Sequence, residues 1–298
     1  MMLNNILVPL DDSANSEEVL PFVMQLALPN PQIKITLLTV TGLDSPRDSA
    51  STFKLRSFAE LLTSKGIESD FFITESMNVA NRINDWADTN SYDMIAMSTR
   101  GREGLSRAIL GSVATEVLRL ASLPVMVVAA SRSSKHRLDS PKLIDLVVPL
   151  DGSRLSESSL PYVEVIAKSL NLGVRLMNVI TPVGLSAQNP VDESSYFFGN
   201  KIVPDLYKEY ENYLAQTADS LTEKGLNVLS QNVLIGNTAS ALIGCVKDPS
   251  ESLFVMSTHG RNGIDRLLIG SVTDSVLRSY GGPVFVIPAN ATLASVHA

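Results

Sequence analysis

The chain alternates short unbroken apolar runs with longer stretches whose apolar positions fall at helical spacing, and it runs through this series twice. Ile6-Leu7-Val8-Pro9-Leu10-Asp11 is an apolar run closed by a carboxylate, and Leu146-Val147-Val148-Pro149-Leu150-Asp151 repeats it. Runs of this kind are the pattern of strands covered on both faces, as in parallel sheets. Each is followed by a serine suited to cap a helix, Ser13 or Ser153, and then by a matched proline, Pro21 or Pro161. Proline is tolerated in a first helical turn and kinks an interior one, so these helices are predicted either to begin late or to bend there. Second strands are predicted at 35–40 and 174–179. In the later copy Leu206, Tyr210, Tyr213, Leu214, Thr217 and Leu221 then recur at helical spacing and stop before Gly225; the earlier counterpart runs from about 53 to 65, before Gly66. Third strands (69–74 and 227–234), third helices (79–89 and 239–247), fourth strands (94–97 and 253–256), fourth helices (111–121 and 270–280) and fifth strands (124–128 and 283–287) complete each copy.

Strict alternation of strand and helix implies parallel strands joined by right-handed crossovers. The fold class is therefore α/β, with two doubly wound, Rossmann-like domains. A length of 298 residues and the internal repeat divide the chain into a first domain at 1–130, a linker at 131–142, a second domain at 143–289 and a tail at 290–298. The copies differ most after their second strands. There the later one carries an extra segment at about 182–200, including Tyr196-Phe197-Phe198-Gly199, which is open to reading as a lid, a partner surface or a packed loop.

Charge narrows the partners. A formal net charge of −7 does not supply the basic field that phosphate-backbone contact needs, so no nucleic-acid partner is expected. No apolar run approaches the length of a membrane span, and the first thirteen residues lack a basic n-region, so neither a membrane nor a secretory route is expected. The one cysteine, Cys245, fits a reducing compartment, and a cytoplasmic location follows. Cys245 reads as a packed thiol, and Trp86 and the stripe Tyr207, Tyr210, Tyr213 read as helix packing faces. The basic cluster Arg132, Lys135, His136, Arg137 and the tail residue His297 read as solvated.

The chemistry concentrates in a second repeat. Ser98-Thr99-Arg100-Gly101 is followed after nine residues by Gly111-Ser112, and Ser257-Thr258-His259-Gly260 after nine residues by Gly270-Ser271. Arg102, Gly104 and Arg107 of the first loop match Arg261, Gly263 and Arg266 of the second. Backbone that wraps a phosphate must approach it closely, which suits Gly101 and Gly260. Gly111-Ser112 and Gly270-Ser271 are predicted to open helices whose first amides and dipole favour an anion, with the serine hydroxyl as a further donor. Arg102 and Arg261 are candidates to neutralise phosphates. In a doubly wound sheet the ligand lies beyond the carboxyl ends of the strands, where strand order reverses. If that point falls between the first and fourth strands, Asp11 and Asp151 face the motif of their own half, where a carboxylate suits a base, a ribose or a metal ion better than a bare phosphate. Helix capping is the simpler role for these aspartates. His259 has no counterpart, since Arg100 stands in its place, so no shared catalytic histidine is expected. No Gly-x-x-x-x-Gly-Lys-Ser/Thr loop and no Gly-x-Ser-x-Gly elbow occurs, which disfavours a P-loop NTPase and an α/β hydrolase. No catalytic and no metal-ligating residue is assigned.

On these residues the chain resembles a tandem universal stress protein. ATP-binding members of that family carry Gly, two residues, Gly, nine residues, Gly, then Ser or Thr. Here Gly101, Gly111 and Ser112, and Gly260, Gly270 and Ser271, match in both halves, while Ser98 and Ser257 replace the first glycine. The family's first-strand aspartate matches Asp11 and Asp151, and its adenine-contacting residue after strand two matches Val40 and Val179. Gly236 fits a glycine that often follows the third strand, where the earlier half has Met77; the later site is therefore expected to be at least as competent. The resemblance implies five parallel strands ordered 3-2-1-4-5 and a stress-related sensor or regulatory role. It implies binding of ATP, or ADP or AMP, with Mg2+ as a companion ion. Pro9, Met97 and Val113, with Pro149, Met256 and Val272, complete the expected nucleotide sites. It also implies that the halves pack as an intramolecular pseudo-dimer through their fifth strands, with room for a homodimer and an unidentified protein partner. The alternatives are a nucleotide-free interaction module of the same fold and a slow ATPase.

Overall fold

The computed structural model describes residues 3–43, 49–99, 110–129, 142–181, 195–258, 269–289 and 291. The first half runs β1 (Asn5–Pro9), α1 (Ala14–Glu17), α2 (Leu20–Ala27), β2 (Lys34–Thr41), α3 (Ser49–Ser64), β3 (Glu68–Glu75), α4 (Val79–Thr89), β4 (Met94–Ser98), α5 (Ser112–Leu120) and β5 (Val125–Val128). The second runs β6 (Asp145–Pro149), α6 (Arg154–Glu157), α7 (Leu160–Leu170), β7 (Gly173–Ile180), α8 (Ser195–Glu223), β8 (Asn227–Ile235), α9 (Thr238–Gly244), β9 (Ser252–Thr258), α10 (Ser271–Ser279) and β10 (Pro283–Pro288).

All ten strands form one sheet in the order β3-β2-β1-β4-β5-β10-β9-β6-β7-β8. Every neighbouring pair within a half is parallel. The seam between halves is antiparallel, with Pro283 opposite Val128 and Val286 opposite Val125. Both seam strands are buried throughout, which is why they read as unbroken apolar runs.

The seam also merges the cores. One cluster, on the side of α2, α3, α7 and α8, contains Leu26, Leu55, Ile166 and Leu214; the other, on the side of α4, α5, α9 and α10, contains Ile83, Val117, Leu242 and Val276. Each crosses from one half to the other, so the helices cover two faces of a continuous sheet. Full burial of a Leu or Ile side chain contributes about 1.5–3 kcal/mol, and rows of such residues on both faces support the hydrogen-bonded seam.

Between the two behaviours open to the proline helices, the chain takes the late start. α1 and α6 are single turns, and new helices begin with Pro21 and Pro161 in their first turn. α3 and α8 close as expected before Gly66 and Gly225: Ile67 N–H donates to Leu62 O and Leu226 N–H to Leu221 O, both at 3.0 Å. Two expectations are corrected. The segment Tyr196-Phe197-Phe198-Gly199 belongs to the start of α8, which reaches 29 residues with Pro204 inside it, so that part of the extra segment is helix rather than loop. α9 ends at Gly244 rather than near 247, with Cys245 as its C-cap and Pro249 just beyond. Residues 182–194, the linker cluster Arg132, Lys135, His136 and Arg137, and His297 of the tail lie outside the described residues.

Candidate functional site

In each half strand order reverses where the first strand lies between the second and the fourth: β1 pairs with β2 and β4, and β6 with β7 and β9. The carboxyl ends of these strands bring several sequence candidates to one place. Pro9 and Pro149 are the last residues of β1 and β6, with Asp11 and Asp151 two positions on; Met97 and Ser98 end β4, and Met256 and Ser257 lie near the end of β9. Val40 and Val179, near the ends of β2 and β7, are half-buried against the same core cluster as Met97, Met256, Val113 and Val272. Gly101, Arg102, Gly260 and Arg261 lie outside the described residues, as do Arg100, His259, Gly104, Arg107, Gly263 and Arg266.

The helix starts differ in their caps, and α2 and α7, which follow directly on α1 and α6, have no side-chain cap hydrogen bond. α1 and α6 are capped by the hydroxyls of Ser13 and Ser153, which accept from the amides of Ser16 and Ser156, and α4 and α9 by Asn78 and Asn237. α5 and α10 begin at glycines with no side-chain cap, and the serines that open them, Ser112 and Ser271, are exposed. Helix N-termini left this way offer their first amides, and the positive end of the dipole, to an anion. The two glycines reach this arrangement differently. Gly111 has an ordinary φ of −61° and its N–H donates to Thr99 O at 2.6 Å, whereas Gly270 has φ +86°, ψ 129°, a backbone state nearly restricted to glycine. α10 also carries Asp274 in its first turn, paired with Arg278 at 2.8 Å, where α5 has Thr115.

The aspartates are not themselves the caps. Oδ1 of Asp11 accepts from Ser13 N–H at 3.1 Å and that of Asp151 from Ser153 N–H at 2.9 Å, so each holds the serine that does the capping. For Asp151 burial opposes ionisation, but the hydrogen bonds from Ser153 and Ser156 outweigh it and keep the carboxyl below its usual value.

Behind these aspartates lie fastenings that the sequence reading missed. The carbonyl of Leu10 accepts from Thr39 Oγ1 at 2.9 Å, and that of Leu150 from Asn178 Nδ2 at 2.7 Å. Thr39 and Asn178 are buried, at 4% and 3% exposure, so nothing else would satisfy those carbonyls easily. A signal existed: each is a polar residue one position before the end of an apolar second-strand run, in both copies. A second fastening ties the short helix to its neighbour. Lys54 of α3 pairs with Glu17 of α1, and donates to Asp12 O at 2.7 Å; Tyr213 of α8 donates to Glu157 of α6 at 2.9 Å. Burial first, and then the Glu157 carboxylate, hold the Tyr213 phenol well above its ordinary value. Asp12 takes a left-handed φ of +65°, which Asp tolerates better than most residues, and Gly152 has +80° at the same place. In the second half the loop serine is also engaged across the site, Ser257 Oγ lying 3.0 Å from Ser158 Oγ.

Other sequence readings fare unevenly. Cys245 is half-buried, its thiol 2.8 Å from Leu242 O and raised in pKa chiefly by burial, as a packed thiol should be. Trp86 packs on the core and against Phe72, with Arg82 5.1 Å over its ring, but Tyr207 is 37% exposed and only Tyr213 of the stripe is both packed on the core and hydrogen-bonded as described.

The universal stress protein family matches the chain twice, over residues 2–129 and 145–288. The chain belongs to that family. Among its curated relatives, the universal stress protein Rv2005c of Mycobacterium tuberculosis is 28% identical over 202 residues, which cover 66% of this chain and 62% of the relative. The matched region thus spans under two thirds of that relative's length. Among solved structures, a universal stress protein from Archaeoglobus fulgidus aligns with a TM-score of 0.66 at 20% identity, covering 97% of this chain and all of the other. The protein PA1789 of Pseudomonas aeruginosa, described as functionally unknown, aligns at 0.69 and 16% identity over 97% of this chain and 93% of its own. These likenesses establish the fold. No helix among the described residues is long and apolar enough to cross a membrane.

Proposed function

We propose that this family member binds an adenine nucleotide, ATP or its ADP and AMP relatives, at the switch point of each half, and that it serves a stress response as a sensor or regulatory module. What supports this reading is the pair of helix starts without a side-chain cap at Gly111-Ser112 and Gly270-Ser271, in halves whose first strand pairs with the fourth and is followed two residues on by an aspartate. The amides and hydroxyls at those starts would take the phosphates, together with Gly101, Arg102, Gly260 and Arg261 of the loops. Asp11 and Asp151 would face the ribose or base. Val40 and Val179, with Pro9, Pro149, Met97, Met256, Val113 and Val272, would give the apolar wall for adenine. Mg2+ would arrive on the phosphates, which with water supply most of its oxygen ligands.

The proposed units are 1–130 and 143–289, joined by the linker at 131–142, and the proposed compartment is the cytoplasm, where a lone packed thiol stays reduced. The proposed role is binding rather than turnover. Purified protein, denatured after exhaustive washing, is expected to release adenine nucleotide detectable by ion-exchange chromatography. Protein that releases none, and that takes up none when incubated with ATP, ADP or AMP while its fold is intact, would overturn the reading in favour of a nucleotide-free interaction module.

A further inference from the structure

A serine hydroxyl carries one proton, so in a contact between two of them only one donates. Ser257 Oγ lies 3.0 Å from Ser158 Oγ, a distance that leaves the direction of the bond open. A second contact decides it. Ser158 Oγ also lies 2.6 Å from the carbonyl oxygen of Leu155, which can only accept, so the Ser158 proton is committed there. Ser257 is therefore the donor to Ser158.

The two serines belong to the two elements that flank the switch point of the second half. Ser257 lies near the end of β9, ahead of the loop that leads to Gly270-Ser271, and Ser158 is the C-cap of α6, the single turn that follows Asp151. α6 is held independently of the bond between them. Its start is capped by Ser153, its Glu157 accepts from Tyr213 of α8, and the amide of Ser158 donates to Leu155 O at 3.2 Å. Ser257 is half-buried, and its hydroxyl reaches a new acceptor by rotation about one bond. Releasing Ser158 thus costs one neutral hydrogen bond and leaves α6 in place. A phosphate oxygen is the better acceptor, because hydrogen bonds to ionised groups are roughly twice as strong as those between neutral groups.

We propose that Ser158 is a brake on the second nucleotide site: it holds the proton of Ser257, and a nucleotide binds by drawing that proton to a phosphate oxygen. The proposal rests on the nucleotide-binding reading above. It gives the two serines opposite effects on affinity, which a purely supporting contact would not. Calorimetric titration with ATP is done on the full chain carrying Gly111→Val, so that the second half reports. There Ser158→Ala is expected to bind about three- to tenfold tighter and Ser257→Ala about three- to tenfold weaker, with the double variant matching Ser257→Ala. Urea unfolding without nucleotide gives an independent reading and shows that the variants fold. Both single changes remove the same bond, so the double variant should lose less stability than the sum of the two. Unchanged or weaker ATP binding by Ser158→Ala would overturn the proposal, and so would additive losses in urea. A folded wild type that takes up no ATP would overturn the nucleotide-binding reading and the brake with it, whereas uptake without the opposed effects would overturn the brake alone.

Discussion

In the first half the short helix behind Asp11 is tied to its neighbour by an ion pair, Lys54 against Glu17; in the second half the same place is tied by a hydrogen bond from an uncharged donor, Tyr213 to Glu157. The pattern repeats at other points. The carbonyl before the aspartate is held by a threonine in one copy and an asparagine in the other, and the left-handed turn after it by Asp12 and then Gly152. The lesson is that the repeat preserves positions of support rather than residues. At each position the requirement is one donor, one acceptor or one backbone state, and any side chain that supplies it will serve.

The glycines before the uncapped helices should separate the halves most. Gly270→Ala forces a side chain into φ +86° and is expected to cost about 1–3 kcal/mol. Gly111→Ala, at φ −61°, should cost about 1 kcal/mol or less. Urea unfolding of both variants checks this, and equal losses would break the comparison.

The carbonyl fastenings should instead behave alike. Thr39→Val and Asn178→Leu each leave a carbonyl without its buried donor and should each cost about 1–2 kcal/mol, read as a shift in urea midpoint at unchanged slope. A loss in only one half would show that the two supports are not equivalent.

Smaller and more diagnostic is the response of the ties to salt. Lys54 is 36% exposed, so Lys54→Met should cost no more than about 1 kcal/mol in dilute buffer and still less in concentrated salt. Tyr213→Phe should cost about 1 kcal/mol at either ionic strength, because the bond it removes has an uncharged donor. Thermal melts of both variants in low and high salt would test the contrast.

The smallest effect is a pH dependence at Asp151. Its folded pKa lies below the usual carboxylate value, so its contribution is fully present above about pH 3.9, the unfolded value, and is lost as pH falls through the folded value. The stability gap between wild type and Asp151→Asn should therefore close below about pH 4. A gap that persists in acid would mean that the ionised carboxylate is not what matters.

Much of this fold was legible in the chain. Unbroken apolar runs marked the parallel strands, helical spacing marked the second and third helices, and the paired prolines marked where helices restart. The start of α8 was not legible, because the residues around Tyr196 to Gly199 lack helical periodicity and Pro204 argues against a helix that the surrounding structure nonetheless accepts. At the site, the glycine-serine motif announced the helix starts, and the aspartates announced themselves by position. Their supports did not. Lys54 and Tyr213 reach partners more than thirty residues away, a pairing that only the folded sheet brings about, although the polar residues in otherwise apolar second strands were a signal that could have been followed.

Calorimetric titration of the full chain with ATP, repeated with the double variant Gly111→Val/Gly270→Val, tests the central claim most directly. Valine at both helix starts would fill the space that a phosphate must approach. Saturable heat from the wild type, absent from a double variant that still melts cooperatively, is the result predicted. No heat from a folded wild type, or undiminished binding by the double variant, would contradict it.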